Sequence, residues 1–100
     1  MSNQYPVWIQ RLYREVIERD RGLCVNCGRQ AVDVNHIIPR SRGAKHSPKL
    51  WRLENMCCVC RACHQHTRPA RERLLGRMWA LYGYDMGWVR EFGIALEEVA

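Results

Sequence analysis

The sequence predicts a small α+β domain held together by a metal staple. Three observations predict it. Two Cys-x-x-Cys pairs, Cys24/Cys27 and Cys60/Cys63, stand 32 residues apart. Two strand-like stretches joined by a basic loop lie between them. Amphipathic helical periods flank this core on both sides. One hundred residues make a single domain, 1–100. A domain of that size buries a modest core and often needs a staple. The hydrophobic content of 47%, with four Trp, excludes a disordered chain. No apolar run approaches the roughly 20 residues of a membrane span. The opening residues lack the apolar segment of a signal peptide. The expected setting is therefore intracellular, with no membrane partner. Six cysteines there argue for metal binding rather than disulfides.

The elements follow in order. Trp8, Leu12 and Val16 recur every four residues and are flanked by Ile9, Tyr13 and Ile17, which predicts an N-terminal helix over 7–21. Gly22 suits its C-terminal stop. Cys24-Val-Asn-Cys27-Gly28 reads as a metal knuckle, with Gly28 able to adopt the positive φ such a turn requires. Gln30 to Ile38 reads as a strand that Pro39 ends. Arg40 to Lys49 is a basic loop, long for a hairpin and therefore a candidate for function. Leu50 to Val59 reads as the return strand. Cys60 to His64 is expected to turn into a helix that Arg68-Pro69 interrupts or restarts. Leu74, Leu75, Met78, Trp79 and Tyr82 form a helical stripe within 70–82. A last short helix over Trp88 to Val99 would turn Trp88, Val89, Phe92, Leu96 and Val99 inward. Together these make a C-terminal helical cap over 70–99.

Charge is concentrated on the same central stretch. Residues 35–77 hold ten Lys or Arg against two acids, within a chain whose net charge is +6. Fourteen of the sixteen cations are Arg, whose planar fork matches phosphate oxygens. A nucleic acid is the natural polyanionic partner, with a merely solvated basic surface as the alternative.

The cysteine spacing points to a four-thiolate zinc site, because i, i+3 placement lets both sulfurs of a pair reach one tetrahedral ion. Cys57-x-x-Cys60 is a competing pair. Cys60 and Cys63 are favoured because they stand where a strand should end, and Cys57 and Cys58 suit small apolar strand positions. A redox dithiol would sit in a βαβ unit, and no such pattern is present. Within the frame, His36 has the chemistry of a general base near neutral pH. A divalent cation would stabilise charge on a phosphoryl group. His64 directly follows a thiolate, so its backbone would be held firmly.

Cys24-x-x-Cys27, Asn35-His36-Ile37-Ile38-Pro39-Arg40-Ser41-Arg42-Gly43, Leu53-Glu54-Asn55 and Cys60-x-x-Cys63-His64 together resemble an HNH endonuclease. The nearest resemblance is to the branch with a four-Cys structural zinc, common in phage and bacterial genomes. The likeness covers about 19–71. It implies a ββα-metal core, in which two antiparallel strands and a helix pinch one catalytic divalent ion (Mg²⁺, Mn²⁺, Ni²⁺ or Zn²⁺). By position, it makes His36 the base that activates water and Asn55 the residue that braces the loop and orients the base. It makes His64 and Asn35 ligands of the catalytic ion. Asn35 departs from the pattern, since this branch usually has Asp there. Asn ligates through a neutral oxygen, whereas hard ions prefer carboxylate. Arg68 is a candidate contact to the scissile phosphate, and His66 a reserve ligand. Arg40, Arg42, Lys45, Lys49, Arg52, Arg61, Arg71 and Arg73 would follow the DNA backbone. Products with 5′-phosphate and 3′-hydroxyl ends, and phage packaging or restriction proteins as partners, are further implications.

Two rival readings fit the sequence less well. A zinc deaminase needs His-x-Glu and Pro-Cys-x-x-Cys, but Ile38 follows His36 by two and Val59 precedes Cys60. A non-catalytic zinc-finger DNA-binding module or accessory subunit explains the cysteines and the charge. It does not explain the His-Asn-His series.

Overall fold

A computed structural model describes residues 5–43 and 47–95. The fold is α+β: helix α1 (Val7–Asp20), strand β1 (Asp33–His36), strand β2 (Met56–Val59) and helix α2 (Arg68–Tyr82), with a 3-10 segment over Gly87–Phe92 closing the described chain. The strands pair antiparallel, Asp33 opposite Val59 and His36 opposite Met56. Among the described residues no helix is long and apolar enough to cross a membrane.

Strand alternation divides the small sheet between two cores. Met56 and Cys58 on β2 pack with Ile9 and Val16 of α1 and with Trp51, and Val34 of β1 joins them. Cys57 and Val59 face the other way, against Leu74, Leu75 and Met78 of α2. The sheet is thus sandwiched between the helices. Buried Cys57 and Cys58 act as apolar residues. Burial pushes both thiols up, that of Cys58 to about 11, so they stay protonated.

The helix ends have local causes. Arg21 adopts a left-handed conformation at the end of α1 (φ 58°), and Gly22 follows at φ 68°. Their N–H groups return to Glu18 and Ile17, which satisfies the last carbonyls. Thr67 caps α2 by accepting the Ala70 N–H at 3.2 Å, and Pro69 lies in the first turn.

Several expectations need correction. Both strands have four residues, shorter than predicted. Pairing begins only where Arg52–Asn55 has turned, because Leu53–Asn55 forms a 3-10 turn that aims Asn55 inward. The residues after Cys60 make a single turn rather than a helix, and α2 begins at Arg68. His64 and Arg68 therefore share no helical face. The buried stripe of α1 runs through Ile9, Val16 and Asp20, while Trp8 and Ile17 are exposed. Trp79 is likewise exposed at 47%, because α2 buries Ala70, Leu74, Leu75 and Met78 instead. The last segment is 3-10 over Gly87–Phe92, with Val89 buried. Leu96 and Val99 lie outside the described residues, as do Lys45 and His46.

Asp20, a carboxylate on the buried stripe, is held by three elements. Arg19 Nε donates to it at 2.8 Å, the Cys58 N–H at 2.8 Å, and the Tyr82 hydroxyl donates as well. Arg19 also donates to the carbonyls of Leu53 and Met56 and lies 4.6 Å from the Tyr82 ring centroid. This cluster ties α1, β2 and α2 together. Sequence periodicity marks position 20 as inward, but not the partners that make a charge tolerable there.

Candidate metal centre and active-site cleft

The four cysteines converge as the spacing predicts. The sulfurs of Cys24, Cys27, Cys60 and Cys63 all lie within 4.8 Å of one another. The edge of a tetrahedron with Zn–S bonds of about 2.3 Å is about 3.8 Å, so the set fits one ion after closing by about 1 Å at most. Cys27 and Cys60 already stand 3.6 Å apart. Two tight turns bring the pairs together. In the first, Gly28 N–H donates to the Cys24 carbonyl and Cys24 N–H to Arg29, with Gly28 at φ 80°. In the second, the N–H groups of Cys63 and His64 return to the Cys60 carbonyl.

The surroundings divide the four sulfurs: backbone N–H donors lower Cys24 and Cys60, whereas burial and the neighbouring sulfurs push Cys27 up and, against the Asn26 hydrogen bond, Cys63 up to about 11. Burial alone would raise the Cys24 thiol, but N–H groups of Cys60, Cys27 and Asn26 outweigh it and bring the pKa to about 6. Asn26 Nδ2 donates to Cys63 Sγ at 3.3 Å. Such donors to the sulfurs are what a metal–thiolate centre needs around it. The four cysteines suit a structural metal ion such as zinc. Among the described residues they form the only cluster of three or more His, Cys, Asp or Glu side chains able to share an ion.

A separate cleft of about 380 Å³ opens beside β1. It is lined by Tyr13, Asn35, His36, Arg40, His64 and His66, among others. Asn35 and His36 are adjacent on β1, and both line it, as does Val34. His36 is 9% exposed and its ring meets Trp51 edge-on at 4.3 Å. Its Nε2 is buried with no hydrogen-bond partner. Burial, and then the nearby Arg40 cation, lower its pKa to about 4, so the imidazole is neutral at pH 7.

Asn55 is fully buried and its side chain is saturated. Its Oδ1 accepts the Ile38 N–H at 2.8 Å, and its Nδ2 donates to the carbonyls of Ile38 (3.1 Å) and Leu50 (2.9 Å). One amide thus clamps the chain leaving His36 to the segment that returns toward β2. His64 lies beyond the second cysteine turn. Its Nδ1 stands 3.0 Å from Asp33 Oδ2, and its ring lies 5.1 Å from that of His66. Sequence reasoning missed Asp33. The signal was available: it shares a strand face with Asn35, and antiparallel pairing sets it opposite Val59, next to the turn that carries His64.

The basic residues are spread over several surfaces. Arg40 lines the cleft, stacks 5.5 Å from the Trp51 ring centroid and donates to the Tyr5 hydroxyl. Arg42, Arg68 and Arg71 line a second cleft of about 310 Å³ with Phe92 and Ile94. There Arg42 donates to the Phe92 carbonyl and Arg68 pairs with Glu72. Arg68 is thus not among the residues around His36. Lys49 pairs with Glu91, and Arg52 with Glu54 while lying 4.6 Å from the Trp88 ring centroid. Arg61 and Arg73 are exposed.

Residues 24–69, from the first zinc-type cysteine to the first turn of α2, match the family model of the HNH endonucleases. No curated protein and no solved structure shows significant similarity to the chain.

Proposed function

We propose that the chain, whose residues 24–69 match the HNH endonuclease family model, is a metal-dependent DNA endonuclease with His36 as its general base. The observation that supports this most is the buried, unpartnered Nε2 of a neutral His36 in a cleft shared with Asn35 and His64. A buried ring nitrogen left without a partner is costly in a purely structural role. It suits a group that takes a proton from water.

The chain's residues divide the work. His36 accepts the proton of the attacking water on its unprotonated ring nitrogen. Asn55 keeps the backbone after His36 from shifting, which preserves the base's reach. Asn35 and His64 would hold a divalent ion between them. Bound there, such an ion would neutralise the phosphoryl oxygens and the leaving 3′ oxygen. Arg40, at the cleft, orients the phosphate by its charge. Arg42, Arg68 and Arg71 form a second point of backbone contact, which adds affinity without sequence information. Attack on phosphorus breaks the bond to the 3′ oxygen, leaving 5′-phosphate and 3′-hydroxyl ends. The cysteines hold the frame and take no part in the step.

Plasmid nicking with added Mg²⁺, Mn²⁺ or Ni²⁺ tests this reading. Removing a general base costs about 10²- to 10⁴-fold in rate, so His36→Ala is expected to lose that much while retaining zinc and fold. A His36→Ala variant that nicks as well as the parent would overturn the assignment. A non-catalytic zinc module would nick with none of these metals.

A further inference from the structure

We propose that Asp33 is a positioning residue for the catalytic ion, acting through His64; the inference rests on the nuclease reading above. The geometry carries it. Asp33 Oδ2 stands 3.0 Å from His64 Nδ1. A carboxylate accepts hydrogen bonds, so this contact assigns the donated N–H to Nδ1. That leaves Nε2, on the far side of the ring, with its lone pair available to a metal. Asp33 itself is not among the residues lining the cleft that Asn35, His36 and His64 share. It lines a different hollow with Ile17, Ala31 and Val32.

A metal-bound histidine commonly passes its second N–H to a carboxylate, which fixes the tautomer and makes the ligating nitrogen more basic. Here the arrangement has an added consequence. The strand position that would bring negative charge to the ion, residue 35, is a neutral Asn. Two residues earlier on the same strand face, Asp33 supplies a charge through the imidazole. Its placement follows from the register: opposite Val59 it reaches the turn that begins at Cys60.

A stabilising surface pair is the alternative role, and exposure argues against it. The side chains are 48% exposed for Asp33 and 27% for His64, and pairs so exposed contribute little to stability. Substitution should therefore leave the fold intact and reveal the positioning role.

The test uses the full zinc-loaded chain. Nitrogen-15 chemical shifts of the His64 ring, read without any added divalent ion, report its tautomer. Mn²⁺ binding is then measured by calorimetry for the parent, Asp33→Ala, Asp33→Asn, His64→Ala and the Asp33→Ala/His64→Ala double variant. We expect the Nδ1–H tautomer in the parent and a shift toward Nε2–H in Asp33→Ala. Mn²⁺ affinity should fall about 10- to 100-fold in Asp33→Ala, with a smaller loss in Asp33→Asn, whose amide oxygen still accepts the N–H. The double variant should bind no more weakly than His64→Ala alone. A tautomer indifferent to Asp33→Ala would overturn the proposal. So would an equal further loss in the double variant, which would make Asp33 a direct ligand. The nuclease reading fails separately: a parent chain that binds Mn²⁺ as expected but leaves plasmid intact would refute catalysis and leave the tautomer result standing.

Discussion

The cysteine site and the cleft beside β1 are built in opposite ways. The cysteine site is complete within the chain: four sulfurs from two short turns, all within 4.8 Å. The cleft beside β1 offers an amide, imidazoles and an arginine around an open space of about 380 Å³. Structural zinc sites are closed, and catalytic sites keep a position for water or substrate. The sulfur site joins two turns far apart in sequence, so its energy goes into folding. The cleft leaves the buried His36 Nε2 without a partner. The cleft leans on the sulfur site, because the turn that carries Cys63 also delivers His64.

The contrast is broken most severely by removing the metal from the sulfur site. Binding at structural zinc sites is worth about 10 kcal/mol or more, which is comparable to the whole stability expected of a 100-residue domain. Strong chelation, or Cys63→Ala, is expected to unfold the chain cooperatively at 25 °C as followed by circular dichroism. Retention of a native spectrum in the metal-free chain would show that the hydrophobic cores suffice.

Asn55→Ala is next in size. It strips partners from the Ile38 N–H and from the Ile38 and Leu50 carbonyls, all at a fully buried position. With about 1–3 kcal/mol for each group left unpaired, a loss of about 3 kcal/mol or more in urea unfolding is expected, together with weaker nicking. An effect on nicking without any loss of stability would separate Asn55 from the clamp described above.

The cleft has its own pH signature. The folded-state pKa of His36 is lowered to about 4, below its unfolded value of about 6.5. Its contribution to stability is complete above pH 6.5 and is lost as pH falls from there toward 4, because the unfolded chain takes up the proton first. A decline of about 2 kcal/mol over that window is expected, after allowance for the ring's residual exposure. It should vanish in His36→Phe. A decline that persists there would place its origin at another group.

The smallest effect concerns Asn35. Asn35→Asp restores a carboxylate where the ion would sit. Mg²⁺ affinity should rise on the order of tenfold, equivalent to about 1.4 kcal/mol, while zinc content is unchanged. Unaltered Mg²⁺ binding would remove residue 35 from the ligand set.

The two regions also differed in how far they were legible from sequence. The sulfur site could be read because its information is local: two i, i+3 pairs, a glycine at the turn, and Cys57 and Cys58 on alternating strand faces. Helix α2 was equally readable from its apolar spacing, although Trp79, at the edge of the stripe, turned out exposed. The strand lengths were not, because Leu53–Asn55 winds into a turn under the pull of Asn55's three hydrogen bonds to residues 38 and 50. The cleft's electrostatics were also hidden. They depend on Trp51 and Arg40 against His36, and on Asp33 against His64 across 31 residues. Asp20 shows the same limit, since its burial is tolerated only through Arg19, Tyr82 and the Cys58 N–H.

The central claim is that one ion folds the chain and another serves catalysis. Titrating Mn²⁺ into the zinc-loaded chain, with zinc content and plasmid nicking followed together, tests it most directly. The account predicts one tightly held zinc throughout and nicking that rises and saturates with the occupancy of a second, exchangeable ion. Nicking at full strength with zinc alone in the cysteine site, and no dependence on a second ion, would contradict it.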